Sequence, residues 1–285
     1  MSTATSDRPT PAHNSLTRDV WVNFKRWSRK AIRNPTAFFL EIVVGVFSLL
    51  LFSAVFGDVG EFALTQAGYA DVDYLTYLVP AVFMQATMGS AFSSGVGLVG
   101  DLESGMFEKV TAMPMGWTAV LLGKAAADLL RILVQLLVVL ALAVALGASV
   151  ETGAAGVAGI MGVALLVGLL FMSIANILGV LVRDEEAINA ASMLFMFPLL
   201  FLSPAFIPVA DDIEWVARLN PITYGVDAIR ALVIDEDVLT VLDVTRFGGI
   251  YDTLVPAVAV LVGLNLLFGA IAVRVLGRAS SADAA

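Results

Sequence analysis

Cysteine is absent from the 285 residues, and the single histidine, His13, lies in a polar stretch near the N-terminus. Without cysteine the chain forms no disulfide and no thiolate metal site. One histidine leaves too few ligands for histidine-based catalysis or metal clusters. Charged residues make up only 14% of the chain, whereas 59% of the residues are hydrophobic. A soluble core of this length could not bury so much apolar surface, so the composition predicts a membrane protein.

Lysine is also scarce, with 4 lysines against 12 arginines, and the net charge is −9. An acidic, lysine-poor surface stays hydrated in concentrated salt, where screening weakens the repulsion between like charges. We therefore advance the hypothesis of a halophilic source.

Nucleotide-binding and hydrolase motifs are missing. Gly123-Lys124 lacks the upstream glycine and the following hydroxyl of a P-loop, and no Gly-x-Ser-x-Gly pattern occurs. We expect a chain that is not an enzyme and that binds no cofactor or metal itself.

Six charge-free runs, extended by their flanks where they are short, can cross the roughly 30 Å of hydrocarbon as helices. They are residues 42–57, 74–100, 132–150, 152–182, 187–210 and 253–273. The first becomes long enough by starting near Pro35, and the third by starting near Trp117. These runs predict an all-α integral membrane protein with six transmembrane helices over residues 35–276.

The distribution of lysine and arginine predicts the orientation of these spans. Seven basic residues precede the first span, and Arg274 and Arg278 follow the last, whereas the predicted outer segments contain three. Both termini are therefore expected in the cytoplasm of a multi-pass cell-membrane protein. Residues 1–17, rich in Ser, Thr and Pro, are expected to be disordered, and residues 277–285 form a cytoplasmic tail.

Residues 18–34 have the pattern of a basic amphipathic helix lying in the membrane interface. Aromatic residues recur on one side and basic residues crowd the other, and Asn34-Pro35 ends the helix. The residues assigned to this role are Trp21, Phe24, Trp27, Arg29 and Arg33. A plain positively charged anchor would have a similar composition.

The loop 100–116 contains a short helix-like stretch ended by Pro114. Met106, Phe107, Val110 and Met113 fall on one face of it at helical spacing. Such an apolar face in the cytosol needs a cover, which could be another protein, the lipid headgroups or the helix ends of this chain.

Residues 203–238 predict two short apolar-faced helices separated by Asn220-Pro221, on the outer side between spans five and six. This pattern favours a re-entrant segment buried in protein, and a helical hairpin lying on the surface is the alternative.

Charged residues near the inner ends of two spans leave a further choice open. Lys124, Asp128 and Arg131 recur at i, i+4 and i+7, and Glu41 lies in the first span. The first three could neutralise one another along one helix face, or this part of the helix could project into the cytosol.

The chain resembles the ABC-2 type exporter permeases, particularly those of the daunorubicin-resistance type. The resemblance covers nearly the whole chain from about residue 18, and Leu102 departs from it where many relatives have a basic residue. The motifs that carry it are Arg33-Asn34-Pro35, Asp101-Leu102-Glu103-Ser104-Gly105 running to Met113-Pro114, Leu122-Gly123-Lys124, Phe201-Leu202-Ser203-Pro204-Ala205-Phe206, Asn220-Pro221-Ile222-Thr223-Tyr224 and Val226-Asp227-Ala228-Ile229-Arg230.

The resemblance implies a homodimer or pseudo-dimer whose halves each sit on a separate ABC ATPase subunit, which binds ATP and Mg. It implies alternating-access export of a drug, lipid or glycoconjugate along a path lined by spans two and five, with lipids but no nucleic acid as further partners. Residues implied in ATPase coupling are Glu103, Ser104, Gly105, Met106, Phe107, Val110 and Met113. Those implied in the outer re-entrant cap are Pro204, Phe206, Asn220, Pro221, Tyr224, Asp227 and Arg230.

Two other functions compete with this interpretation. A secondary transporter driven by an ion gradient would need titratable residues deep in the bundle and internal repeats, and neither is evident. A membrane scaffold without transport would not explain the re-entrant segment.

Overall fold

A computed structural model describes residues 15–33, 35–66, 68–105, 117–206, 212, 214–237, 240–241 and 246–282. Nine α-helices occupy most of these residues. They are α1 (Leu16–Arg33), α2 (Pro35–Gln66), α3 (Tyr74–Glu103), α4 (Trp117–Ala145), α5 (Gly153–Val182), α6 (Glu185–Phe201), α7 (Glu214–Leu219), α8 (Pro221–Ile234) and α9 (Tyr251–Ala282).

Five of these helices, α2, α3, α4, α5 and α9, are long and apolar enough to cross a membrane. This confirms a helical membrane protein with several spans. The fifth predicted span corresponds to α6, which has 17 residues and a length of roughly 26 Å at 1.5 Å per residue. Because α6 alone is shorter than the hydrocarbon layer, the count of six spans stays a prediction.

Helix α3 lies at the centre of the bundle. It is the least hydrophobic of the five candidate spans, and 83% of the residues in its 18-residue apolar stretch are buried. It packs against α2, α4, α5, α6 and α8. Gly95 lets α3 approach α5 closely, since a Cβ there would lie 2.7 Å from the Ala175 carbonyl oxygen. The polar residues of α3 can therefore be satisfied by protein neighbours rather than lipid.

Helices α2 and α9 lie at the periphery of the bundle. Only 17% and 11% of the residues in their 18-residue apolar stretches are buried. Their exposed side chains, such as Phe47 and Leu266, face whatever surrounds the bundle. The substrate path was predicted along spans two and five, which correspond to α3 and α6. Because α3 is buried, α6 has the larger exposed apolar surface of the two, with Met193 and Leu194 exposed at its middle.

Several predicted boundaries differ from the helices. Helix α1 begins at Leu16, inside the stretch predicted to be disordered, whose residues 1–14 lie outside the described residues. Helix α9 continues to Ala282, beyond residue 277 where the tail was expected to begin.

Candidate functional site

A stripe of small and polar residues runs along one face of α3 towards its C-terminal end. It comprises Ser90, Ser94, Gly97 and Asp101, which recur at i, i+4, i+7 and i+11. This spacing places them in one row. Residues from α1, α2 and α4 meet the row at three levels, and we call the whole arrangement the polar stripe.

The first level of the polar stripe is Asp101, which ties α1 to α3. Its two carboxylate oxygens accept hydrogen bonds from Arg26 Nη2 at 2.5 Å and from Lys30 Nζ at 2.7 Å. The ring of Trp27 lies close to these two cations and to Lys124, with Arg26 5.3 Å, Lys30 4.7 Å and Lys124 4.8 Å from its centroid. A buried aromatic face surrounded by three cations adds cation–π attraction to the ion pairs.

The second level resolves the choice left open for Lys124, which is only 2% exposed. Its ammonium group donates to Asp128 Oδ2 at 2.7 Å, to the Ser94 carbonyl oxygen at 2.8 Å and to the Ser94 hydroxyl. The Ser94 hydroxyl in turn donates to Asp128 at 2.6 Å. Lys124 and Asp128 therefore neutralise each other inside the protein, and solvation in the cytosol is excluded for Lys124. Arg131 instead pairs with Glu41 on another helix.

The third level joins α2, α3 and α4 through Glu41. Ser90 and Ser93 donate hydrogen bonds to its carboxylate at 3.0 Å and 2.9 Å. Arg131 lies 3.5 Å from the same carboxylate and donates to the Ser90 carbonyl oxygen at 2.7 Å. The charge of Glu41 is thus balanced within the bundle.

At the opposite end of α3, a second network surrounds Arg230 of α8, whose side chain is completely buried. Its guanidinium donates to the Pro204 carbonyl oxygen at 2.5 Å, lies 3.8 Å from Asp227 and stacks 3.9 Å from the centroid of the Tyr77 ring. The Tyr77 hydroxyl donates to the same Pro204 carbonyl at 3.3 Å. Tyr74 stacks on Tyr77, with the ring centroids 6.1 Å apart. We call this network, including Tyr74, the Arg230 cluster.

The turn after α6 is fixed by this cluster. Tyr74 donates to the Phe206 carbonyl oxygen at 3.3 Å, and Asn220 donates to the Leu199 carbonyl oxygen at 2.5 Å. Both hydrogen bonds satisfy backbone carbonyl groups that have no partner within a helix. An irregular segment inside a membrane protein requires such partners.

Asp227 is the acid of the Arg230 cluster and accepts a hydrogen bond from the Val241 backbone N–H at 3.0 Å. Helix α8 is not one of the five candidate spans. Burial raises the pKa of the Asp227 carboxyl from 3.8 to about 7, against the opposing effects of the Arg230 guanidinium and the Val241 hydrogen bond.

The two short helices of the predicted outer segment behave differently. Helix α7 ends at Leu219 and α8 begins at Pro221 with Asn220 as its N-cap, so the predicted break at Asn220-Pro221 is observed. Nearly every residue of α8 is buried, and a Cβ at Gly225 would meet Met84 and Val167 at 2.8 Å. A hairpin lying on the surface is therefore excluded for α8, whereas α7 exposes Trp215 and Leu219.

The residues predicted for ATPase coupling are only partly described. Glu103, Ser104 and Gly105 follow the polar stripe at the end of α3, where Ser104 caps the helix. Met106, Phe107, Val110 and Met113 lie outside the described residues.

The residues predicted for the interfacial helix divide between two environments. Trp21 is 62% exposed and stacks on Phe24 at 5.3 Å, and Arg29 and Arg33 are also exposed. Trp27, by contrast, is inside the protein among its three cations rather than at a membrane surface.

A family model described as ABC-2 type transporter matches residues 18–234. The chain belongs to the ABC-2 type transporter family. The matched region contains α1, the polar stripe and the Arg230 cluster, and it ends with α8.

The chain is also similar to the daunorubicin resistance ABC transporter permease protein DrrB1 of Streptomyces coeruleorubidus. The two are 29% identical over 194 residues, which is 67% of this chain and 66% of that relative. The alignment therefore spans just under two thirds of that ABC-2 relative.

Sequence reasoning missed several residues of this ABC-2 protein's two networks. Ser90, Ser94 and the tyrosines Tyr74 and Tyr77 were not singled out. The helical spacing of Ser90, Ser94 and Gly97, which matches that of Lys124, Asp128 and Arg131 on α4, was a usable signal. No spacing rule could have paired Tyr77 with Arg230, because 153 positions separate them in the chain and the pair is created by tertiary contact.

Proposed function

We propose that this ABC-2 chain is the membrane permease subunit of an ATP-binding cassette exporter. It moves a hydrophobic or amphipathic substrate outward by alternating access, and a separate ATPase subunit supplies the energy. Membership of the ABC-2 family and similarity to a permease named for daunorubicin resistance support this function.

The observation that carries the proposal is that α3 joins the two networks. Its N-terminal turns hold Tyr74 and Tyr77 of the Arg230 cluster, and its C-terminal turns hold Asp101 of the polar stripe. The helix has 30 residues and is roughly 45 Å long. A helix that is buried and bonded at both ends transmits displacement as a rigid body.

The predicted coupling segment, residues 103–113, begins where α3 ends. In the proposed cycle, ATP binding brings two ATPase subunits together, and each moves the coupling segment of one permease protomer in a homodimer. Helix α3 carries that movement to the 203–238 segment, which closes the outer end of the path. ATP and Mg bind to the ATPase, and both termini and α1 lie on the cytoplasmic side, with α6 completing six spans.

A row of phenylalanines supports an apolar path beside α6. Phe52 of α2 lies 4.5 Å from Phe206, Phe206 lies 5.3 Å from Phe201, and Phe201 lies 6.3 Å from Phe197, measured between ring centroids. Phe197 and Phe201 are half exposed. Such a surface, next to the turn held by the Arg230 cluster, suits a hydrophobic or aromatic-bearing substrate.

The deciding experiment reconstitutes the chain with its cognate ATPase and measures ATP hydrolysis. We expect Phe107→Asp to abolish copurification or permease-dependent hydrolysis, because a charge would be placed in the apolar docking face. Phe247→Asp is the matched control, since Phe247 is exposed at the end predicted to lie outside. Equal activity of both variants would remove the coupling role. Transport that needs an ion gradient and no ATPase would favour the secondary transporter.

A further inference from the structure

Helix α1 and Asp101 at the end of α3 line an open cavity of about 720 Å³, and most of its lining residues are basic. Five cations and one acid line it, so its formal charge is +4, although the whole chain has a charge of −9. The charged lining residues are Lys25, Arg26, Arg29, Lys30, Arg33 and Asp101.

Among the residues that the structure describes, three of the five cations have no acidic partner. Arg26 and Lys30 share Asp101, whereas Lys25, Arg29 and Arg33 form no ion pair within the described part of the chain. Unpaired like charges on one helix repel one another. A bound anion would remove that repulsion, and phosphate oxygens suit the arginine guanidinium groups.

The position of the cavity identifies the source of the anion. Only residue 34 separates α1 from α2, and the candidate span in α2 begins at Phe38. Arg33 is thus five residues from Phe38 in the sequence, so the basic end of α1 is next to the end of α2 where the candidate span begins. Anionic headgroups occupy the boundary between water and hydrocarbon, where basic residues attract them.

Apolar side chains are exposed beside the cations, and they favour a lipid over an acidic protein surface as the source of the bound anion. Val22 lines the cavity itself, and Trp21 next to it is exposed. An apolar groove of about 330 Å³, formed by Ile32, Phe38 and Leu130 among others, lies on the adjacent face of α1. Ile32 is 77% exposed there, next in sequence to Arg33 of the cavity.

We propose that this cavity binds the phosphate headgroup of an anionic phospholipid and that the adjacent groove takes one of its acyl chains. Lipid binding neutralises Lys25, Arg29 and Arg33 and fixes α1 against Asp101, the first level of the polar stripe. The site depends on the membrane position of α1 and not on the exporter function.

The test titrates the purified full-length chain in detergent with dioleoyl phosphatidylglycerol and counts bound lipid by native mass spectrometry. The double variant Arg29→Gln/Arg33→Gln removes two exposed cations from the cavity. The control Arg218→Gln/Arg246→Gln removes two exposed cations from elsewhere. At roughly 1 kcal/mol per basic residue near an anionic surface, we expect about fivefold weaker binding per residue and about 25-fold for the pair.

Two further ligands distinguish the source of the phosphate. Dioleoyl phosphatidylcholine has the same acyl chains without net charge, and inorganic phosphate has the charge without the chains. The proposal requires that the wild type bind phosphatidylcholine and inorganic phosphate more weakly than phosphatidylglycerol. It also requires that the Arg218→Gln/Arg246→Gln control bind phosphatidylglycerol as tightly as the wild type. Equal loss in both double variants, phosphatidylcholine binding as tight as phosphatidylglycerol, or displacement of the lipid by equimolar inorganic phosphate would each overturn it. Circular dichroism of each variant verifies that the chain is folded.

Discussion

At the scale of single residues, Arg230 has the most demanding environment. Its guanidinium is completely buried and holds the Pro204 carbonyl, Asp227 and the Tyr77 ring together. Removing one member of a buried charged network leaves its partners desolvated and unpaired, which is more destabilising than deleting an exposed pair.

We therefore expect Arg230→Met to destabilise the folded chain by about 3 kcal/mol. The measurement is the apparent midpoint of thermal unfolding in detergent. Arg218→Gln is the control, because Arg218 pairs with Glu214 at an exposed position, and such pairs contribute about 1 kcal/mol or less. Similar midpoints for the two variants would show that the Arg230 cluster does not stabilise the fold.

The raised pKa of Asp227 leads to a pH prediction. Because burial raises this pKa from 3.8 to about 7, the folded state binds the proton more tightly than the unfolded state does. The resulting contribution to stability is complete below pH 3.8 and is lost as the pH rises through about 7. Asp227→Asn has no carboxyl to ionise, so its unfolding midpoint relative to the wild type should increase between about pH 4 and about pH 7 and level off above that. A constant difference would contradict the prediction.

At the scale of helices, the contact between α1 and α4 depends on Gly123. A Cβ at this position would lie 2.5 Å from Asn23 Cβ and 2.7 Å from the Val20 carbonyl oxygen. Backbone atoms, unlike the end of a side chain, cannot rotate out of such a contact, so α1 and α4 would have to move apart. Next to this close approach, the Lys124 ammonium group of α4 lies over the Trp27 ring of α1, 4.8 Å from its centroid.

Gly123→Ala should destabilise the chain by about 1–3 kcal/mol and make α1 more accessible to trypsin, which cleaves after its lysines and arginines. Gly162→Ala is the matched control, since Gly162 is also helical and has no atom within 4 Å of a Cβ there. Alanine favours helix formation by about 1 kcal/mol over glycine, so the control should be neutral or stabilising. Equal trypsin sensitivity in the two variants would contradict the predicted separation of α1 and α4.

At the scale of the whole molecule, the number of spans determines whether the two termini lie on the same side. The chain has no cysteine, so single-cysteine variants report directly on accessibility. We expect Ser15→Cys and Ser280→Cys to react with an impermeant maleimide only in permeabilised cells, and Asp71→Cys to react in intact cells. Labelling of Ser15→Cys and Ser280→Cys from opposite sides would mean an odd number of spans and would exclude α6 as a crossing helix.

The acidic surface yields a second prediction for the whole molecule. With a net charge of −9, the folded chain repels itself less when salt screens its charges. We expect the unfolding midpoint of the purified chain to be higher in ~2 M potassium chloride than in ~0.2 M. Greater stability at low salt would refute the halophile hypothesis.

Composition alone determined that this chain is a helical membrane protein, because apolar surface in such quantity has to be hidden from water. Local chemistry also determined individual breaks, such as the one at Asn220-Pro221, since Asn caps helices and Pro begins them. Motifs at the end of α1, in the loop after α3, in α4, at the end of α6 and in α8 carried the ABC-2 resemblance through residue identity and spacing.

Only the tertiary structure decided what each helix face meets. Periodicity placed Lys124, Asp128 and Arg131 in a row, but the choice between solvent and protein depended on α1 and α3 packing over that row. Similarly, the sequence of α8 suits a surface helix and a buried one equally well, and the surrounding helices α3, α5 and α9 bury it. A sequence specifies which side of a helix is polar, whereas the partner of that side is set by contacts between residues far apart in the chain.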